Sequence, residues 1–249
     1  MRQKMKTKVK QLTVIIALLL LCTAILPCIY GCTKGNNKIF ETDLFRCMYN
    51  EDKTGVIILE LTEKGQEQEI LVIPEEINGL PVVRLGGVTG YPNRQHYLIS
   101  ENVEKIYIKA RLKYIADSAL PTKRNISVYF IGAIEDLNIT TFNFNETMII
   151  IPEKETEYIN IFDYHIQQRG VKIKVANIVY YVDENREKIY WIDYLCENEG
   201  IIFPPTPIQN KKRFEGWYLE KECVNQWNGQ YLDSQKDALE LFAKWSSQA

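Results

Sequence analysis

The sequence predicts a mainly β protein: a short, irregular solenoid of stacked strands, then a small separate β module. Three observations predict it. Apolar pairs at alternate positions recur between residues 71 and 151. Alternation over four to six residues is the period of a strand, not of a helix. The composition then changes at Asn177, beyond which lie all four tryptophans, Trp191, Trp217, Trp227 and Trp245.

The chain starts with Arg2, Lys4, Lys6, Lys8 and Lys10, followed by an apolar run from Leu12 to Leu26 and then Ile29-Tyr30-Gly31-Cys32. A basic start, an apolar middle and a small residue before a cleavage point form an export signal, expected over residues 1–31. Gly31-Cys32 resembles the lipobox of bacterial lipoproteins, with Tyr30 as its departure. The resemblance implies that Cys32 takes lipid on its sulfur and becomes the new N-terminus. An uncleaved membrane helix and a plain signal are the rival readings, since residues 12 to 31 are just long enough to span. Pro27 and Gly31 suit a cleavage region better than a continuing helix. All three readings place the remaining chain outside the cytoplasm, because basic residues stay inside.

Those five basic residues belong to a total of 30 and come with no acid, so the rest of the chain has 25 basic and 32 acidic residues, a net charge of −7. That balance argues against a nucleic-acid partner, which needs clustered Lys and Arg. It also excludes a polybasic membrane binder. Beyond Cys32 only Cys47, Cys196 and Cys223 remain. An odd number without close spacing indicates neither a disulfide framework nor a zinc site. Cys196 and Cys223 share one module, so a pair between them stays open.

Residues 32–39 are expected to be a polar tether. Val56 to Leu61 reads as a strand, Glu63 to Glu67 as a polar turn and Ile70 to Ile73 as a second strand, a hairpin pattern. The recurrence begins there. Leu71 and Ile73 precede Pro74, Ile106 and Ile108 precede Lys109, Val128 and Phe130 precede Ile131, and Ile149 and Ile151 precede Pro152. The last three strands are about 22 residues apart, and Gly90 to His96 reads as an inserted loop in the first interval. Stacked units of this kind bury a continuous column that no single unit could bury alone.

Leu71-Val72-Ile73-Pro74-Glu75-Glu76-Ile77-Asn78-Gly79-Leu80-Pro81-Val82-Val83 resembles a unit of the BspA-type leucine-rich repeats of bacterial surface proteins. Ile106 to Leu120 and Ile149 to Lys154 resemble more degenerate units. The resemblance implies a short, irregular leucine-rich-repeat solenoid over residues 40–175.

In residues 176–249, Ile178 to Val182 and Lys188 to Leu195 read as strands joined at Asp183-Glu184-Asn185. Pro204, Pro205 and Pro207 set an extended entry. Then come Phe214-Glu215-Gly216-Trp217-Tyr218 and Leu241-Phe242-Ala243-Lys244-Trp245. The order resembles the Listeria–Bacteroides repeat, or internalin B-repeat, and implies a small β-grasp-like module. Lys211-Lys212 stands where the family commonly has Gly-Tyr. Phe214, Gly216, Trp217, Tyr218, Lys244 and Trp245 carry the motif. Phe214, Trp217 and Trp245 are expected to supply most of the module's core. Gly216 is expected to allow a conformation or a close approach that a side chain would block.

Catalytic signatures are missing from the sequence. His96 and His165 have no second ligand at metal spacing, and no phosphate loop or nucleophile motif occurs. No metal or cofactor is expected. The Asn-x-Ser/Thr triplets at Asn125, Asn138 and Asn145 are read as chance in a bacterial lipoprotein. Between the paired strand residues, Val72, Tyr107, Tyr129 and Ile150 should form a row on the opposite face. An exposed face would be polar, so something covers this one. The cover is either the chain itself, such as the Phe45–Leu61 segment or a back arc, or a partner anchored on Tyr107 and Tyr129. The expected function is non-enzymatic: adhesion to, or recognition of, an extracellular protein or glycan by a lipoprotein held at the cell surface. A glycan-binding or structural envelope lipoprotein is the alternative, and an envelope hydrolase with unrecognised carboxylates the next.

Overall fold

The computed structural model describes residues 38–88, 98–116, 119–120, 126–136, 147–152, 156–183, 185, 187–195, 200–230 and 238–247. The expected signal, Cys32, His96, Cys196, the three Asn-x-Ser/Thr asparagines and most of the tether lie outside them. Among the described residues no helix is long and apolar enough to cross a membrane. Among the described residues the fold is mainly β, in three sheets.

The first sheet begins with β1 (Phe40–Glu41), β2 (Phe45–Tyr49) and β3 (Val56–Leu61), which run antiparallel. The Val56-Ile57-Ile58-Leu59 run is buried along its whole length. Val56, Ile58 and Leu61 join the main core, while Ile57 and Leu59 pack with Met48 on the other side. A strand apolar on both faces belongs in a sheet interior, as β3 does.

The expected hairpin between Val56–Leu61 and Ile70–Ile73 does not form. Thr62 caps a one-turn helix, α1 (Glu63–Gln66), its hydroxyl accepting from the Gly65 N–H and donating to the Asp43 carbonyl at 2.7 Å. Gly65 lies so close to the Leu44 carbonyl that a Cβ would come within 2.3 Å of it. The chain therefore turns a corner, and β4 (Ile70–Ile73) starts the second sheet. β5 (Glu76–Ile77) and β6 (Leu80–Leu85) form a tight hairpin over Asn78 and Gly79, both at positive φ. β6 then runs parallel to β3, and later in the chain β8 (Tyr114–Ile115) joins β6.

The second sheet is parallel throughout. It adds β7 (Lys105–Ile108), β9 (Ser127–Phe130), β10 (Met148–Ile151) and β11 (Lys172–Val175) beside β4, in the order β4-β7-β9-β10-β11. The recurring units fall side by side in register: Leu71 opposite Ile106, Ile106 opposite Val128, Val128 opposite Ile149. Their paired residues all point into one aliphatic core. The sequence reading did not anticipate α2 (Thr156–Arg169), the crossover between β10 and β11. Its Phe162 is fully buried against Phe130, ring centroids 5.2 Å apart.

The third sheet holds β12 (Ile178–Tyr181), β13 (Ile189–Asp193), β14 (Lys212–Tyr218) and β15 (Leu239–Ser247), in the order β13-β12-β15-β14. The Asp183 carboxylate shapes the turn before β13, accepting from the N–H groups of Asn185, Glu187 and Lys188. Gly216 has φ +137°, a conformation that demands glycine, and the Gln226 amide fills the space where a Cβ would stand, 2.8 Å from its Nε2. The core of this sheet differs from expectation. Trp191, Tyr180 and Leu241 are its buried centre, with Trp217 and Trp227 beside them, whereas Phe214 and Trp245 are half-buried. Trp245 lies on the final strand and donates its indole N–H to the Val182 carbonyl at 3.1 Å, which keeps its polar edge near the surface.

Candidate binding site at the seam between two sheets

Val72, Tyr107, Tyr129 and Ile150 form the expected row, each opposite the next. Tyr107 and Tyr129 are not available as partner anchors, however: they are 0% and 1% exposed. The cover is the third sheet, not the Phe45–Leu61 segment, which packs on the sheet's other face. Trp191 lies on Tyr107 with centroids 4.0 Å apart and planes at 20°, and Tyr107 lies on Tyr129 at 4.3 Å and 15°. Three near-parallel rings thus bridge the two sheets, and stacks of this kind add about 0.5–1.5 kcal/mol per pair beyond their area burial.

The seam also encloses a carboxylate. Asp193, at the end of β13, is 0% exposed. It accepts from the Tyr194 N–H at 2.9 Å and the Ile202 N–H at 3.4 Å, and also from the Tyr129 hydroxyl. Burial holds its carboxyl above the ordinary aspartate range, opposed by those donors and by the charge of Lys105. Burial, and then the Asp193 charge, likewise push the Tyr107 and Tyr180 phenols up.

At the rim the contacts become polar. Lys188 Nζ donates to Glu75 Oε2 at 2.7 Å. Lys109 Nζ stands over the Tyr190 ring, 3.9 Å from its centroid, and Lys174 Nζ over Tyr194 at 5.9 Å.

A groove of about 650 Å³ opens along this rim. Its floor comes from the chain leaving successive strands of the parallel sheet: Glu75 and Glu76 after β4, Lys109 and Arg111 after β7, Ile131 to Ala133 after β9, and Pro152 after β10. Its far wall is Glu187-Lys188-Ile189, which the Asp183 turn presents. The volume falls in the range of ligand clefts.

The structure thus brings together residues that the sequence reading passed over. One signal was present. The residue after each apolar pair is Pro74, Lys109, Ile131 or Pro152, and Lys109 is the only charge in that series. The motif residues Phe214, Gly216, Trp217, Tyr218, Lys244 and Trp245 gather around β14 and β15, away from the groove lining. His165 lies on α2. Among the described residues, no group of three or more His, Cys, Asp or Glu could hold a metal ion. No known protein family, curated protein or solved structure matches the chain.

Proposed function

We propose that this protein is a bacterial lipoprotein, tethered outside the cytoplasm through Cys32, that recognises an extracellular protein or glycan without chemically changing it. On this reading residues 40–175 are a degenerate BspA-like leucine-rich-repeat solenoid and residues 176–249 a β-grasp-like module of the Listeria–Bacteroides type. The in-register parallel strands and the positive φ of Gly216 support that reading. One observation carries the functional part. Two sheets are joined by a buried aromatic stack between residues far apart in sequence, Tyr107 and Trp191, and the line where the sheets meet opens into a charged groove. A rigid scaffold with a cleft at an internal junction is the usual setting of a binding site. Glu75, Glu76 and Glu187 line that cleft, with Glu75 tied to Lys188, whereas a hydrolase would need a converging pair of carboxylates with a raised member. The carboxyl group that burial raises, Asp193, is sealed in the seam instead.

The test uses cells making the full chain. Protease applied to intact cells should remove the protein, and Cys32→Ala should release it from the membrane fraction. Adherence to neighbour or host cells should fall several-fold when the gene is deleted. Protection from protease on intact cells, or adherence unchanged by the deletion, defeats the reading.

A further inference from the structure

Lys109 is unusual among the cations of the described residues. Its Nζ is drawn under the rim onto the Tyr190 ring. Burial holds its ammonium below the ordinary lysine range; Glu75 opposes this and Lys188 adds to it. The Glu75 carboxylate that could neutralise it is held by Lys188 at 2.7 Å. Lys64, by contrast, meets Asp43 at 2.7 Å in open solvent. Among the described residues no carboxylate lies within ion-pair distance of Lys109 or of Arg111, two residues further on. A partly desolvated cation whose close partner is only a ring face lacks the anion that would stabilise it.

The rest of the groove indicates the shape of what supplies that anion. Gly132 presses so tightly on the preceding turn that a Cβ would meet the Ala110 carbonyl at 2.2 Å and the Lys109 carbonyl at 2.5 Å. The floor there is main chain against main chain. It crosses the ends of four adjacent strands, about 4.8 Å apart, so it is roughly 14 Å long. That length holds about four residues of extended peptide. None of the lining residues is aromatic, and the nearby Tyr190 ring already carries Lys109. A sugar therefore finds no open ring to stack on. Glu76 and Glu187 at the rim disfavour an occupant that is anionic throughout.

We propose that the groove binds an extended peptide segment of a partner protein, with glutamate or aspartate carboxylates reaching Lys109 and Arg111. This rests on the recognition reading above and names the chemistry of its ligand.

The probe is a fluorescent Gly-Glu-Gly-Glu-Gly peptide titrated against the detergent-solubilised full chain at low salt. A Gly-Gln-Gly-Gln-Gly peptide and trigalacturonate serve as competitors. The glutamate peptide should bind at least tenfold more tightly than the glutamine peptide and weaken with salt. Lys109→Gln should lose about tenfold and Arg111→Gln about threefold. Lys109→Arg, which keeps a cation able to lie on Tyr190, should retain binding, and Lys64→Gln should change nothing. Equal binding of the two peptides overturns the proposal, as does unchanged binding by Lys109→Gln in a protein with an intact urea transition. Trigalacturonate binding more tightly than the peptide replaces the peptide with a uronate glycan. If cells carrying Lys109→Gln adhere normally, this inference falls while the recognition reading stands.

Discussion

On one face of the parallel sheet, Leu71, Ile73, Ile106, Ile108, Val128 and Ile149 pack as an aliphatic column, with the aromatic pair Phe130–Phe162 near its end. On the other, Tyr107 and Tyr129 stack beneath Trp191 beside a buried Asp193. Both faces exclude water, but they recruit their cover differently. The column is closed by β1 to β3, by the segments leading out of its own strands and by α2, all within residues 40–175. The aromatic face is closed by strands that come later, with Trp191 62 positions beyond Tyr129. Aliphatic side chains need only a filled volume. Rings with hydroxyls, and a carboxylate, also need matched geometry and donors. The first face can therefore form from its own neighbourhood, whereas the second depends on the last third of the chain.

The sharpest break of that comparison is to end the chain after Val175. Tyr107, Tyr129 and Ile150 would then face water, and each ring covers on the order of 150–250 Å². The shortened protein should aggregate or bind a hydrophobic dye strongly, with no cooperative urea transition. A clean transition near the full-length midpoint would show that the aliphatic column suffices. Next in size is Trp191→Ala, expected to cost about 3–5 kcal/mol in urea unfolding, as large aromatic truncations in cores do. A loss under about 1 kcal/mol would mean that the stack is not what joins the sheets.

The same contrast explains what could be read in the sequence. The aliphatic column was legible because Leu71/Ile73 through Ile149/Ile151 repeat at the strand period, and their register follows from that spacing. The outer row was legible as covered, because Val72, Tyr107, Tyr129 and Ile150 are too apolar for solvent. Its cover was not, because nothing local links Trp191 to Tyr107. The Val56–Ile73 hairpin failed because periodicity reports that strands exist and not which sheet they enter; the Thr62 cap and the Gly65 approach to Leu44 decide that. Helix α2 left a trace in the spacing of Ile159, Phe162 and Ile166, overlooked in a region otherwise rich in strands. The groove was nearly invisible, since Lys109 and Lys188 meet only through the seam.

Titration separates the faces at a smaller energy. Burial raises the Asp193 carboxyl in the folded state, so the folded protein holds a proton that the unfolded chain releases. Stability from this group is full below the unfolded value near 3.9 and is lost as pH rises through the folded value. Asp193→Asn should flatten the fall in urea midpoint above about pH 4, though it removes an acceptor at a cost of about 1–3 kcal/mol. An unchanged pH slope would remove Asp193 from the account. The column contains Cys47, whose thiol burial pushes up to about 12. At pH 8 its thiolate fraction is roughly a thousandfold below that of an ordinary cysteine. Alkylation followed by peptide mass analysis should find Cys47 unlabelled until global unfolding. Labelling under native conditions would show that the column opens locally.

The rim gives the smallest effect and the finest distinction. Lys188 and Glu75 are 57% and 40% exposed, so their 2.7 Å pair is screened by water. Such pairs contribute about 0–1 kcal/mol. Lys188→Ala should therefore shift the urea midpoint slightly, and the shift should vanish in high salt. It should also release Glu75 toward Lys109, because Lys188 is the cation that holds that carboxylate. The variant thus separates two roles of one contact. If the pair mainly orders the groove, stability barely moves while acidic-peptide binding falls, since Lys109 has gained an internal anion. If it mainly clamps the sheets, the midpoint drops by an amount comparable to that of Trp191→Ala. The stack lies in the dry interior and the pair in water, so the stack should account for most of the stability of the seam.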